Sequence, residues 1–87
     1  MEIIRSEKYI FSLQAIITYI SKDSKTRAFS FKSELDKTVN NLLHMPYKFR
    51  KSIYFEDENI RDLIFKGYTI VYKVDEAKST ITVVGIK

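Results

Sequence analysis

Eighty-seven residues leave room for one domain, 1–87, since a chain this short buries only roughly 60–65% of the surface its unfolded form exposes. The composition is 45% hydrophobic and 14% aromatic with two glycines and one proline, which excludes disordered and collagen-like classes, and the absence of cysteine excludes disulfide scaffolds, thiolate metal sites and thiol nucleophiles. Fifteen Lys and Arg against eleven Asp and Glu give a formal charge of +4, which permits nucleic acid or an acidic protein as partner without selecting either.

No apolar run approaches the ~20 residues that span a bilayer, and Met1-Glu2-Ile3-Ile4-Arg5 lacks the layout of a signal peptide, so a cytoplasmic chain without membrane contact is expected. Ile3 and Ile4 between charged neighbours read as a short strand. Ser6 followed by Glu7 supplies an N-cap hydroxyl and a first-turn carboxylate for a helix beginning near residue 7. Ile10, Leu13, Ile17 and Ile20 recur at helical spacing, with Ile16 widening the apolar stripe. Ser21-Lys22-Asp23-Ser24 interrupts it, offers Asp23 or Ser24 as a second N-cap, and predicts an antiparallel helical hairpin joined by about four residues. Ala28, Phe31, Leu35, Val39 and Leu42 then continue to Met45, where the following Pro46 ends the helix.

Tyr47 to Asn59 shows no sustained period and reads as a long, partly packed connection. Ile60–Phe65, Tyr68–Val74 and Thr80–Ile86 are rich in β-branched and aromatic residues and are separated by Lys66-Gly67 and by Asp75-Glu76-Ala77-Lys78-Ser79, which predicts a three-stranded meander. On its middle strand Tyr68, Ile70, Tyr72 and Val74 share the face that should meet the helices, with Thr69, Val71 and Lys73 on the other. The expected fold is α+β, with the hairpin on one face of an antiparallel sheet that the N-terminal strand joins. Its core should contain Ile10, Leu13, Ile17, Leu35, Val39, Leu42, Ile70 and Tyr72.

The residues offer little catalytic chemistry. His44 is the only histidine and reads as a helix C-terminal residue without metal-ligand spacing. Gly67 and Gly85 stand alone, so no phosphate-cradling loop exists, and neither a cofactor nor a metal is expected. Glu56-Asp57-Glu58 reads as a solvated turn. The cations are more informative: Lys48, Arg50 and Lys51 precede the meander, Arg61 lies inside its first strand, and Lys66, Lys73 and Lys87 follow. Surface solubility accounts for an ordinary lysine. An arginine within an apolar strand either pairs with a carboxylate or presents its guanidinium fork to a phosphate or a partner, and both roles stay open for Arg61.

The order strand, helical hairpin, connection and meander resembles that of the RelE/ParE toxins of bacterial type II toxin–antitoxin systems. Leu13, Ile16 and Tyr19-Ile20 are similar to a pattern of the family's first helix, and Ala28, Leu35, Val39, Leu42 and Pro46 match its second. Arg61-Asp62-Leu63 followed by Gly67-Tyr68-Thr69-Ile70-Val71-Tyr72 resembles its arginine strand and Gly-Tyr-x-x-x-Tyr strand. The resemblance implies a β-α-α-β-β-β fold, growth inhibition, plasmid stabilization and neutralisation by a cognate antitoxin protein. RelE-like members cleave messenger RNA on the ribosome with basic residues on the exposed sheet face; here Thr69 stands where RelE has an arginine, and no tyrosine or histidine follows Gly85-Ile86-Lys87. The chain therefore looks closer to ParE-like members, which act on DNA gyrase and are not known as nucleases. The alternatives are a ribosome-dependent endonuclease using Arg61, Lys73 and Lys87, and a non-toxic binding module. Contact with a target or partner is expected at Arg61, Lys48, Arg50, Lys51 and Lys73.

Overall fold

In the computed structural model, which describes all 87 residues, strand β1 (Glu2–Arg5) leads into helices α1 (Glu7–Asp23) and α2 (Lys25–Asn40). A 3-10 turn at Asn41–Leu43 and strands β2 (Arg50–Lys51), β3 (Ile60–Phe65), β4 (Tyr68–Asp75) and β5 (Thr80–Ile86) follow. Ser6 starts the first helix and ties it to the sheet: its hydroxyl accepts the Tyr9 N–H at 3.1 Å and donates to the Val84 carbonyl at 2.7 Å. The helices are joined by Ser24 alone, a shorter link than the sequence suggests. One residue suffices because Ser24 serves both ends, its N–H reaching the Ile20 carbonyl and its hydroxyl accepting the Arg27 N–H. The second helix ends at Asn40, before Met45, and tightens into the 3-10 turn that keeps Leu42 buried.

The five strands form one sheet in the order β1-β5-β4-β3-β2. It is mixed, not wholly antiparallel as expected: β1 runs parallel to β5, and every other neighbour is antiparallel. Lys66 (φ 47°) and Gly67 (φ 86°) form the two-residue hairpin between β3 and β4, with both central residues left-handed as the type I′ turn requires. Between β4 and β5 the register steps from Val71↔Gly85 to Tyr72↔Val83, so Val84 is the unpaired residue of a β-bulge. The Val84 carbonyl is the one that receives the Ser6 hydroxyl.

Both helices pack on one face, the α+β arrangement expected. Tyr9, Leu13, Phe31, Leu35, Val39 and Leu42 meet Leu63, Ile70, Tyr72, Val74, Ile81 and Val83 in one core. The expected phase of the middle strand holds, since Ile70, Tyr72 and Val74 are fully buried among the helices. The first helix departs by one residue: Ile10 is 42% exposed, and the position against the sheet belongs to Tyr9, which is 0% exposed. Ile17 is only partly buried, beside the core. A one-residue step rotates a helix face by about 100°, enough to exchange wall for core.

Burial pushes the phenols of Tyr9 and Tyr72 up to about 12, with nearby Asp36 adding to the rise at Tyr9, and Arg5 at Tyr9 and Phe49 and Arg61 at Tyr72 opposing it. Both side chains are neutral up to the ordinary tyrosine range, so their contribution is complete below pH ~10 and is lost as pH rises from there toward 12. Near-ultraviolet titration should therefore show two of the six tyrosines resisting ionisation until about pH 12 or until unfolding. By chemical denaturation, Tyr9→Ala should cost about 3–5 kcal/mol and Ile10→Ala less than ~1 kcal/mol, the reverse of what the sequence stripe implies.

Candidate functional site: the helical groove and the strapped sheet face

Two surfaces carry unusual chemistry. The first is a groove of about 630 Å³ between the helices. Leu13 and Ile17 form its apolar part with Ile10 and Tyr9, and Arg5, Lys32, Asp36 and Asn40 stand at its edge. The edge charges are already engaged, Arg5 with the Asn40 side-chain oxygen at 3.0 Å and Lys32 with Asp36 at 2.7 Å. The Tyr9 hydroxyl is buried at its floor without a hydrogen-bond partner.

The second surface is the sheet face turned away from the helices. The segment read from sequence as a long, partly packed connection contains β2, which pairs Arg50↔Asp62 and Lys51↔Arg61, and then turns over this face. Asp62 sits inside β3 with its side chain fully buried. One carboxylate oxygen accepts the Ile53 N–H at 3.1 Å and lies 3.5 Å from the Arg50 guanidinium, while the other has no partner. Ser52 holds the Tyr54 N–H through its hydroxyl, and Phe55 borders a small cleft with Val71, Gly85 and Lys87. Residues 52–55 thus form a strap running across the strands from β3 toward β5. Val71, which has the helices on its far side, is only 1% exposed beneath it.

The cations singled out from sequence do not converge. Arg61 pairs in register with Tyr72, so it belongs to the helix side of the sheet, and it has no carboxylate partner. Its guanidinium donates to the Phe49 and Glu58 carbonyls at 3.1 and 2.9 Å and lies 5.0 Å from the centre of the Tyr47 ring. The Tyr72 hydroxyl donates to the Pro46 carbonyl at 2.7 Å, so two side chains of adjacent strands hold both ends of the segment entering β2. Tyr47 donates to Glu76, and desolvation and that bond push its phenol up. Arg50 faces Asp62, Lys51 pairs with Glu58 at 3.1 Å, and the Lys48 ammonium lies over the Phe49 ring. Lys73 is exposed on the strapped face. Lys87, backbone-paired with Thr69, places its ammonium 5.3 Å from the Tyr54 ring. His44 follows the 3-10 turn, its N–H on the Asn41 carbonyl.

Sequence reasoning missed Tyr9, Asp62 and the strap. A carboxylate within the apolar run of β3 is the signal that could have found Asp62, since a buried charge requires a donor brought to it. Arg61→Ala should lower stability by about 1.5–3 kcal/mol in urea denaturation, because two carbonyls lose a charged donor. Arg61→Lys should recover part of the loss, as an ammonium cannot reproduce the fork.

The whole chain matches known proteins in fold and family. The family model described as the ParE toxin of the type II toxin–antitoxin system, parDE, matches residues 3–87. Among solved structures, the chain is similar to one from the chromosomal ParDE toxin–antitoxin system of P. aeruginosa, with a TM-score of 0.76 and 17% identity over 100% of this chain and 94% of that one. A comparison with curated proteins finds no match. The family match, spanning all but the first two residues, establishes that the chain belongs to the ParE toxin family of type II toxin–antitoxin systems.

Proposed function

We propose that this toxin arrests growth by binding DNA gyrase, and that a cognate antitoxin neutralises it by occupying the groove between the helices. The observation that carries the target reading is the dispersal of the cations. Lys73 and Lys87 are separated along β4 by the four steps from Thr69, the partner of Lys87, to Lys73, about 13 Å, and Arg61 is on the other side of the sheet with its fork engaged. In-line cleavage of RNA requires a base, an acid and a phosphate ligand that all converge on one scissile phosphodiester. A surface of separated cations suits binding, in which each meets its own carboxylate on a protein. Gyrase is the target that membership of the ParE family favours.

The similar structure is that of a ParDE toxin–antitoxin system, which supports an antitoxin partner here. The groove suits an amphipathic segment that is disordered alone and folds on binding: apolar side chains for Leu13 and Ile17, and polar ones for the charged edge of Arg5, Lys32 and Asp36. The +4 charge of the toxin favours an acidic partner.

The purified protein should inhibit gyrase supercoiling and leave ribosome-bound message intact. Codon-specific cleavage with supercoiling unaffected would replace this reading by the nuclease one. Ile17→Arg should abolish rescue by the antitoxin from the adjacent reading frame while growth arrest persists, measured by co-expression.

A further inference from the structure

The strapped face has a composition that its structural role does not require. Over Val71 the strap contributes Phe55, 43% exposed, which shares a small cleft with Val71, Gly85 and the Lys8 side chain. Yet Ile53 is 68% and Tyr54 47% exposed, and Ile64, two residues from Asp62 on the same face of β3, is 50% exposed. Single exposed apolar residues are ordinary, whereas a contiguous set marks an interaction surface. This set is also fixed in place. The Ile53 N–H is bonded to a fully buried carboxylate, the Tyr54 N–H to Ser52, and the Tyr54 ring meets the Lys87 ammonium. A buried carboxylate with one unpartnered oxygen is a costly anchor, and what it holds is an apolar surface turned outward.

From this we infer that Ile53, Tyr54, Phe55 and Ile64 form the surface that docks the target protein, and that the complementary site is an apolar cleft rimmed by carboxylates. The inference rests on the reading above, that the chain acts by binding gyrase. Charge complementarity selects the rim. Lys87 and Lys73 flank the strap on either side, and neither has a carboxylate partner within the chain, while two of the three acids that follow are occupied, Glu58 by Lys51 and Asp57 by the Asn59 N–H. A protein fits better than single-stranded nucleic acid. Bases would have to stack where Lys87 already covers Tyr54, Ile53 offers no ring, and Glu56, Asp57 and Glu58 would repel phosphates beside the strap.

The test is calorimetric binding of purified gyrase by the wild-type protein, by the double variant Ile53→Ser/Tyr54→Ser and by Ile64→Lys, whose change lies outside the strap. Each variant should bind gyrase at least ~10-fold more weakly, the loss expected for central apolar anchors, with unchanged far-ultraviolet circular dichroism and with antitoxin affinity held within ~2-fold. Wild-type affinity in folded variants would overturn the assignment. So would equal loss of antitoxin binding, which would give the strap to the antitoxin, or retention of a labelled single-stranded oligonucleotide by the wild type alone. If the wild-type protein itself ignores gyrase, the underlying reading fails and this inference with it, an outcome told apart because it appears before any substitution.

Discussion

A sheet has two faces, and a chain of 87 residues has only one helical pair to cover them. The rest of the architecture depends on this shortage. The helices are spent on the side of Ile70, Tyr72 and Val74, which leaves Val71 in the middle strand facing water. A four-residue strap covers it at the expense of a buried carboxylate at Asp62. Placing the strap requires a long excursion between the second helix and β3, and that excursion must be fastened at its start. Arg61 and Tyr72 fasten it by donating to backbone carbonyls of residues 46, 49 and 58. Side chains whose types suggest catalysis or recognition thus serve to hold main chain.

Legibility follows the range of the forces involved. The Lys66-Gly67 hairpin and the alternation of Ile70, Tyr72 and Val74 were legible because they are set by residues adjacent in sequence. The Ser6 cap was equally legible, although its second bond, to Val84, joins residues at opposite ends of the chain. The phase of the first helix was ambiguous since Tyr9, Ile10, Leu13, Ile16, Ile17 and Ile20 make a stripe wide enough for two phases, and only the sheet decides between them. The strap was illegible for a different reason. It runs across the strands and touches each once, so its contacts have no period, and Asp62, which holds it, and Val71, which needs it, lie on strands whose placement no local pattern announces.

The parallel pairing of β1 with β5 was hidden for a related reason: a strand's direction relative to a distant neighbour is fixed by where the intervening hairpin leaves the chain. For the site, sequence could identify the cations but not which of them are satisfied internally. Arg50, Lys51 and Arg61 bond partners that lie within 12 residues of them, and Lys73 and Lys87 remain turned outward without a carboxylate.

The sheet is open, so both of its margins carry unpaired main-chain groups that another chain could pair with. One margin is the four-residue β1, bearing Glu2 and Arg5; the other is the two-residue β2, bearing Arg50 and Lys51. Short, charged margins give an approaching strand too few bonds to hold and place repelling cations opposite one another when identical β2 segments meet. The same economy that limits the chain to one helical pair thus leaves each margin of the sheet a poor template for a further strand.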